Sequence, residues 1–409
     1  DSRSVSRALQ PAQRSEVLDK FMCKDLPDCP ERSAGNPLYL KLAFEEARLW
    51  RSGSGQPPER LEPLVSGIIE KNMIHRLAEE SNHGEELVSH ALGYLAASRY
   101  GLAEDELLDL LSRDVQVYQW FFEKGKHLPS DLVQCAIKYR PADLEAIASE
   151  KKIPVDDKEA AAAAWLSQVL KDGRDHPERM TDFLKQVLPK PDGPRLPVVL
   201  WSRLSFDLAP YLTERMLDGS PLLDFYHREL GDVSRAVFLK DGQAETYHER
   251  LADYFRFKAD PAADRTWTGH HLHGLSELSY HLTVAGKIDE AYHTLTDFKF
   301  LEHKAEEVGI LRGKDERGNE VITSQGVLQL QEDMQRLLSA MPGGEGDAGE
   351  RAPLILTAIE TSKGLMVYCP VCNKHSAITR DDLDKKIQCP QETCKAPIKL
   401  NPFTVKREI

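Results

Sequence analysis

Four of the seven cysteines crowd into the end of the chain. Cys369-Pro370-Val371-Cys372 is a C-x-x-C knuckle, and Cys389-Pro390-Gln391-Glu392-Thr393-Cys394 is a wider C-x-x-x-x-C. Two short cysteine pairs on neighbouring turns can deliver four soft thiolates to a tetrahedral Zn²⁺. Four thiolates leave no open position, so the expected zinc is structural and not catalytic. The second knuckle departs from the usual two intervening residues. His375 is a fallback ligand that a complete set of cysteines makes unnecessary. A pair of disulfides is the other reading of these residues. Leu365 and Val367 before the knuckles, and Ile398, Leu400 and Phe403 after them, alternate as short strands do. A module this small buries little apolar surface and commonly depends on a metal or on disulfides.

The other three cysteines carry less. Cys135 sits in an apolar helical pattern with Leu132, Val133 and Ile137, as a buried, inert thiol would. Cys23 and Cys29 could pair only in an oxidising compartment. An odd total and no visible secretory signal favour a reducing cytoplasm. His270, His271, His273 and His281 form a local cluster. Metal binding is one reading, and a loop entering a helix with an apolar face is the other.

Several motifs are missing from the sequence. The P-loop pattern G-x-x-x-x-G-K-[ST] does not occur. Gly309–Gly313-Lys314 comes nearest, but it is one residue short and ends in Asp315, so it reads as a turn. Neither Gly-x-Ser-x-Gly, H-E-x-x-H nor an EF-hand loop is present. No catalytic residue is assigned.

The rest of the sequence must fold to position these groups. The chain has 409 residues, 53 Lys plus Arg and 66 Asp plus Glu, for a net charge of −13. That balance excludes a surface that grips nucleic acid throughout, but not a local basic module. The C-terminal module is one: Lys374, Arg380, Lys385, Lys386, Lys395, Lys399, Lys406 and Arg407 outnumber its acids. It could bind nucleic acid, bind protein, or simply be a solvated surface. Hydrophobic content of 41 % fits a folded chain. No apolar run approaches about 18 residues, so no membrane span is expected.

Most of residues 1–345 reads as helix. Asn36 and Pro37 suit the cap and first turn of a helix that runs to about Trp50, and Gly53, Gly55 and Pro57-Pro58 end it. Amphipathic helices follow over 63–80 and 85–99, then a tight turn at Gly101-Leu102 and a helix over 104–111. Residues 115–195 read as a less regular insertion containing Trp120-Phe121-Phe122 and the run Ala160–Ala164. A helix over 198–211 leads into two short strands, 213–217 and 221–227, joined at Asp218-Gly219 as at the end of a winged helix. Helices resume over 228–238, 244–257, 275–285 and 288–308. Gly343–Arg351 reads as a linker. The expected fold is mainly α. It has a helical lid (1–80), a winged-helix domain (81–240), a helical-hairpin, TPR-like arm (241–345), a linker (346–362) and a small β zinc ribbon (363–409).

Three stretches carry a resemblance. They are Gly35-Asn36-Pro37-Leu38-Tyr39-Leu40, with the helix it opens; Ala91-Leu92-Gly93-Tyr94-Leu95 through Leu108; and Leu223-Asp224-Phe225-Tyr226-His227-Arg228-Glu229-Leu230, followed by His248–Phe255 and Ser279–Leu282. In this order they resemble the region after the nucleotide-binding core of STAND-class P-loop NTPases, in the NACHT-like branch that includes nephrocystin and telomerase-associated protein. The resemblance covers roughly residues 1–310 apart from the insertion. It implies a cytoplasmic signal-transduction switch, closed with ADP and opened by ATP, with protein partners and a nucleotide-dependent oligomer. A Gly-x-Pro motif whose proline packs near the adenine would be Gly35 and Pro37. A winged-helix histidine on the β-phosphate would be His227, with His248 the second candidate. Flanking residues at His227 differ from the family's Met-His-Asp. The Walker motifs are expected upstream of Asp1, so hydrolysis is expected of the full-length protein and not of this chain alone. A zinc ribbon stands where the family's WD repeats or TPR array would follow.

Overall fold

The computed structural model describes residues 9–21, 35–50, 60–125, 128–172, 177–190, 193–217, 220–314, 320–341, 354–361, 364–369, 371–372, 374–391 and 394–406. Cys23, Cys29, the helix-ending Gly53 to Pro58, the Asp218-Gly219 turn and the Gly343–Arg351 linker lie outside them. The chain divides into two compact units, Asp1–Ala285 and Gly286–Ile409.

The first unit opens with α1 (Pro11–Phe21) and α2 (Pro37–Ala47). The Asn36 side chain accepts from the Leu38 N–H at 2.9 Å, and Pro37 occupies the first turn of α2, where its missing N–H costs nothing. Next comes one continuous helical run: α3 (Val65–Gly67), a π-helical segment (Ile68–Ile74) and α4 (His75–Ala78). Glu46 of α2 takes a two-pronged ion pair from Arg76 of α4, at 2.9 Å on both arms, and also accepts from the Tyr211 hydroxyl at 3.1 Å. This buried carboxylate ties α2 to the segment that enters the β-hairpin.

α5 (Glu85–Ala97) is the central helix. All of its residues from Leu87 to Ala97 are buried except Ser89. It packs against α6 (Glu104–Arg113), α7 (Val115–Lys124) and two later helices. Residues 115–195, read as a less regular insertion, are mostly helical, with α8 (Ser130–Tyr139), α9 (Pro141–Lys151), α10 (Lys158–Asp172) and α11 (Pro177–Val187) following α7. Met180, Phe183, Leu184 and Val187 make the buried face of α11.

α12 (Val198–Leu208) and a 3₁₀ turn (Ala209–Tyr211) lead into an antiparallel hairpin, β1 (Leu212–Leu217) with β2 (Ser220–Phe225). Leu102 bridges Leu223 of β2 through N–H···O bonds of 3.0 and 2.8 Å, adding a third short edge. Gly101 makes that approach possible: its φ is +98°, and a Cβ there would lie 2.4 Å from the Leu223 carbonyl oxygen. α13 (Arg228–Phe238), α14 (Gln243–Ala259) and α15 (Leu272–Val284) complete the unit, with α13 and α14 packed on α5.

The second unit differs from expectation in three places. The helix expected over 288–308 is two helices, α16 (Ile288–Leu295) and α17 (Phe298–Glu307), because Asp297 caps a new start through its side chain. The Gly309–Gly313 stretch is not a turn. It runs into β3 (Ile310–Lys314), which pairs with β4 (Glu320–Ser324) ahead of α18 (Gln325–Ala340). Residues 354–361, read as linker, form β5 (Leu354–Thr361). It joins β6 (Gly364–Cys369), β7 (Lys374–Ile378), β8 (Lys386–Gln388) and β9 (Pro397–Lys406) in a sheet of order β7-β6-β5-β9-β8. β5 and β9 are parallel, and the other pairings are antiparallel. Val367, Cys369, Cys389, Ala396, Ile398 and Leu400 form its buried core.

Candidate functional site

The cysteines converge. Cys369 ends β6, Cys372 follows it, Cys389 follows β8, and Cys394 precedes β9. Their sulfurs all lie within 4.8 Å of one another, with Cys369 to Cys394 and Cys372 to Cys389 both at 3.8 Å. A disulfide would need about 2.05 Å, and all four are free thiols. Four sulfurs each about 2.3 Å from a tetrahedral centre lie close to 3.8 Å apart, so the spacing fits such a metal. The electrostatics fit too. Burial, together with the neighbouring sulfurs, pushes the Cys389 thiol up to about 12, and a dication in the centre would reverse that cost. Among the described residues, these four cysteines are the one His, Cys, Asp and Glu group that could hold a metal ion.

Of the expected nucleotide contacts, His227 lines a cavity in the first unit, and Gly35 and Pro37 are not among its lining residues. A cavity of about 800 Å³ is lined by Asn36, Leu64, Val65, Ser66, His227, Arg228 and residues along α13. Asn36 sits between Gly35, whose φ is +72°, and Pro37. Pro37 itself lines a neighbouring apolar groove with Val17, Leu18, Leu40 and Phe44. His227 is exposed and caps α13, its Nδ1 accepting from the Glu229 N–H at 3.2 Å. An accepting Nδ1 leaves Nε2 as the protonated nitrogen and therefore a donor. The start of α13 adds backbone N–H groups that favour an anion, while Glu229 and Asp232 line the same cavity and Asp232 pairs with the Arg228 guanidinium at 3.2 Å. His248, the second candidate, is not on this cavity: it is buried between α14 and α15.

The histidine cluster resolves into different roles. His270 is exposed, and His271 caps α15 by accepting from the Gly274 N–H. His273 and His281 instead enter a buried chain of charge. Glu106 of α6 accepts from His273 Nδ1 at 2.8 Å, Glu277 holds His281 Nε2 at 2.8 Å, and His281 Nδ1 meets His248 Nδ1 at 2.7 Å. Burial opposes charge on His273, but its bond to Glu106 and the Glu277 carboxylate 3.6 Å from its Nε2 outweigh it and raise the group to about 10. Burial pushes His248 down to about 3, and the facing His281 adds to the effect. This chain joins α6, α14 and α15 and is structural in kind.

The sequence reading missed the carboxylates that organise these helices. Asp114, 2 % exposed, caps α7 and accepts from His90, Tyr94 and Arg250. Glu277 is fully buried between Leu275 and Leu278. An acid inside an apolar helical face was the available signal.

Comparisons with known proteins link the chain to NACHT-like proteins. It is 28% identical to human NACHT domain- and WD repeat-containing protein 1 over 302 residues, 68% of this chain and 15% of that protein. The mouse protein of the same name matches at 28% over 310 residues, 69% of this chain and 15% of its own length. Human NACHT and WD repeat domain-containing protein 2 matches at 28% over 276 residues, 65% of this chain and 14% of its own. The chain thus spans about one-seventh of the length of these relatives. No family model and no solved structure matches. Among the described residues, no helix is long and apolar enough to cross a membrane.

Proposed function

We propose that this chain is the regulatory portion of a nucleotide-gated, NACHT-like signalling NTPase. Its helical part would couple the ADP or ATP state to domain opening and partner binding. The observation that carries this is the shared cavity. Asn36, within the Gly35-to-Pro37 motif, and His227 are far apart in sequence but line one space. Its volume, about 800 Å³, lies in the range of small-ligand pockets. His227 would donate through Nε2 to a phosphate oxygen, assisted by the N-terminus of α13. Asn36, between Gly35 and Pro37, would shape the opposite wall near the base. A ligand held by both the Asn36 cap of α2 and α13 favours the closed arrangement, and its loss removes the tie.

In this reading the full-length protein is a cytoplasmic ATPase with protein partners and a nucleotide-dependent oligomer, and the chemistry of hydrolysis lies outside this chain. The four cysteines hold a structural zinc. The test is nucleotide retention by the full-length protein: His227→Ala should speed ADP release, and unchanged release counts against the proposal. A second reading makes the helical part a scaffold and the ribbon the binding element for a protein or nucleic acid. The ribbon's basic character in an acidic chain favours it for that module.

A further inference from the structure

The buried chain of charge also holds backbone. Residues 98–103 connect α5 to α6, and two carboxylates grip this connection. Near one end the Arg99 N–H donates to Glu277 Oε2 at 3.2 Å. At the other end the Ala103 N–H donates to Glu106 Oε2 at 2.8 Å. His273 links the two acids, with Nδ1 2.8 Å from Glu106 and Nε2 3.6 Å from Glu277. The Arg99 guanidinium also lies over the Tyr280 ring of α15, 5.3 Å from its centre. The connection is thus clamped at both ends, and one clamp belongs to α15.

The clamped connection carries Leu102. Its N–H and C=O both bond to Leu223 of β2, at 3.0 and 2.8 Å. Beyond Leu223 the strand ends at Phe225, and the Tyr226 N–H donates to the Tyr211 carbonyl at 3.1 Å. The next residue is His227, the cap of α13. Four residues of tied backbone therefore separate His227 from the Leu102 bridge. Glu277 is fully buried, a costly place for a carboxylate unless hydrogen bonds compensate it. One of those bonds comes from a backbone N–H 178 residues away in sequence. Such a bond does nothing for α15 as a helix; it fixes where α15 stands against the connection. α15 is also the last helix of the first unit, which ends at Ala285.

We infer that Glu277 is a positioning residue for the nucleotide: through the Arg99 N–H, Leu102 and Leu223 it sets where β2 presents His227, so that displacing α15 loosens ADP. This rests on the nucleotide reading above and adds the route by which α15 regulates that cavity. Glu277 touches no ligand itself. Glu277→Gln keeps the volume but not the clamp. The amide retains its bonds to Arg99 and His281 only by turning its NH₂ toward the charged His273, and loses both if flipped.

The experiment follows release of a fluorescent ADP from the full-length protein in four forms: wild type, His227→Ala, Glu277→Gln and the double variant. Glu277→Gln should speed release about threefold to tenfold. The double variant should release no faster than His227→Ala alone, within about twofold, because a residue that acts through His227 has nothing left to position. Phe183→Leu, in the buried core of the insertion, lowers stability without touching this route and should release ADP as the wild type does. Bound ADP should in turn slow amide exchange at Leu102 and Leu223 in the wild type, and less so in Glu277→Gln. Wild-type release from Glu277→Gln beside fast release from His227→Ala overturns this inference and leaves the nucleotide reading standing. Unchanged release from His227→Ala overturns both. Multiplied effects in the double variant, equal acceleration by Phe183→Leu, or exchange at those amides that ADP leaves unchanged also overturn it.

Discussion

His248 Nδ1 lies 2.7 Å from His281 Nδ1, in the interior between two packed helices. Two nitrogens at that distance share one proton, so one ring must accept. Beyond His281 the chain of charge continues through Glu277 to His273 and Glu106. Its members titrate in opposite directions.

That opposition predicts a stability optimum. His273 is raised to about 10 in the folded state, against about 6.5 unfolded. Its contribution is therefore fully present below about 6.5 and is lost as pH rises through 10. His248 is lowered to about 3, so its contribution is present above about 6.5 and is lost as pH falls toward 3. Thermal unfolding followed against pH should peak between pH 6 and 7. In His273→Gln the alkaline fall should flatten. A stability that climbs steadily to pH 10 would contradict the assignment.

The metal site predicts close to one zinc per chain by elemental analysis. Chelation should unfold residues 354–406 and leave the helical unit's circular dichroism largely intact, since a small module depends on its metal. Cys372→Ser should lower zinc affinity strongly. A ribbon that keeps its sheet without metal and without disulfides would count against the site.

A buried ion pair gives a sharper packing test. Lys304 Nζ meets Asp333 at 2.8 Å between α17 and α18, with both side chains fully buried. Asp333→Ala leaves an ammonium in the core and should cost about 3–5 kcal/mol. The double change Lys304→Met, Asp333→Leu should recover most of that loss, because apolar residues of similar volume often replace such a pair without penalty. Urea unfolding of the three proteins decides it.

Gly101→Ala tests the link between the tight turn and the hairpin. A Cβ would meet the Leu223 carbonyl at a φ that side chains avoid. The expected cost exceeds about 1 kcal/mol. Faster amide exchange at Leu102 and Leu223 should accompany it, and protection equal to wild type would show that the bridge does not need this glycine.

Local signals explain how far the sequence could be read. Asn36-Pro37 marked the start of α2, and alternation around the cysteines marked β6 and β9, because caps and pleats leave short-range traces. The β1–β2 hairpin was legible for the same reason. The parallel β5–β9 pairing was not, since it joins segments about 45 residues apart with no turn to announce it. The insertion's helical patterns were visible only in pieces, around Cys135 and at Ala160–Ala164, so the stretch read as less regular than the five helices it forms. Of the candidate sites, the cysteine set was legible as spacing. Resemblance pointed to Gly35, Pro37 and His227, whereas the lining of one cavity by Asn36 and His227 depends on long-range packing that no local pattern records. Glu106, Asp114 and Glu277 escaped notice because charge normally marks the solvent side of a helix.

The central claim is that the Asn36 cap of α2 and the start of α13 grip one nucleotide from two sides. The most direct measurement is dissociation of a fluorescent ADP from the full-length protein, compared with its His227→Ala variant. The account predicts release at least about tenfold faster in the variant, the loss of one charge-assisted hydrogen bond. Equal release rates, with both proteins folded and loaded, would contradict it.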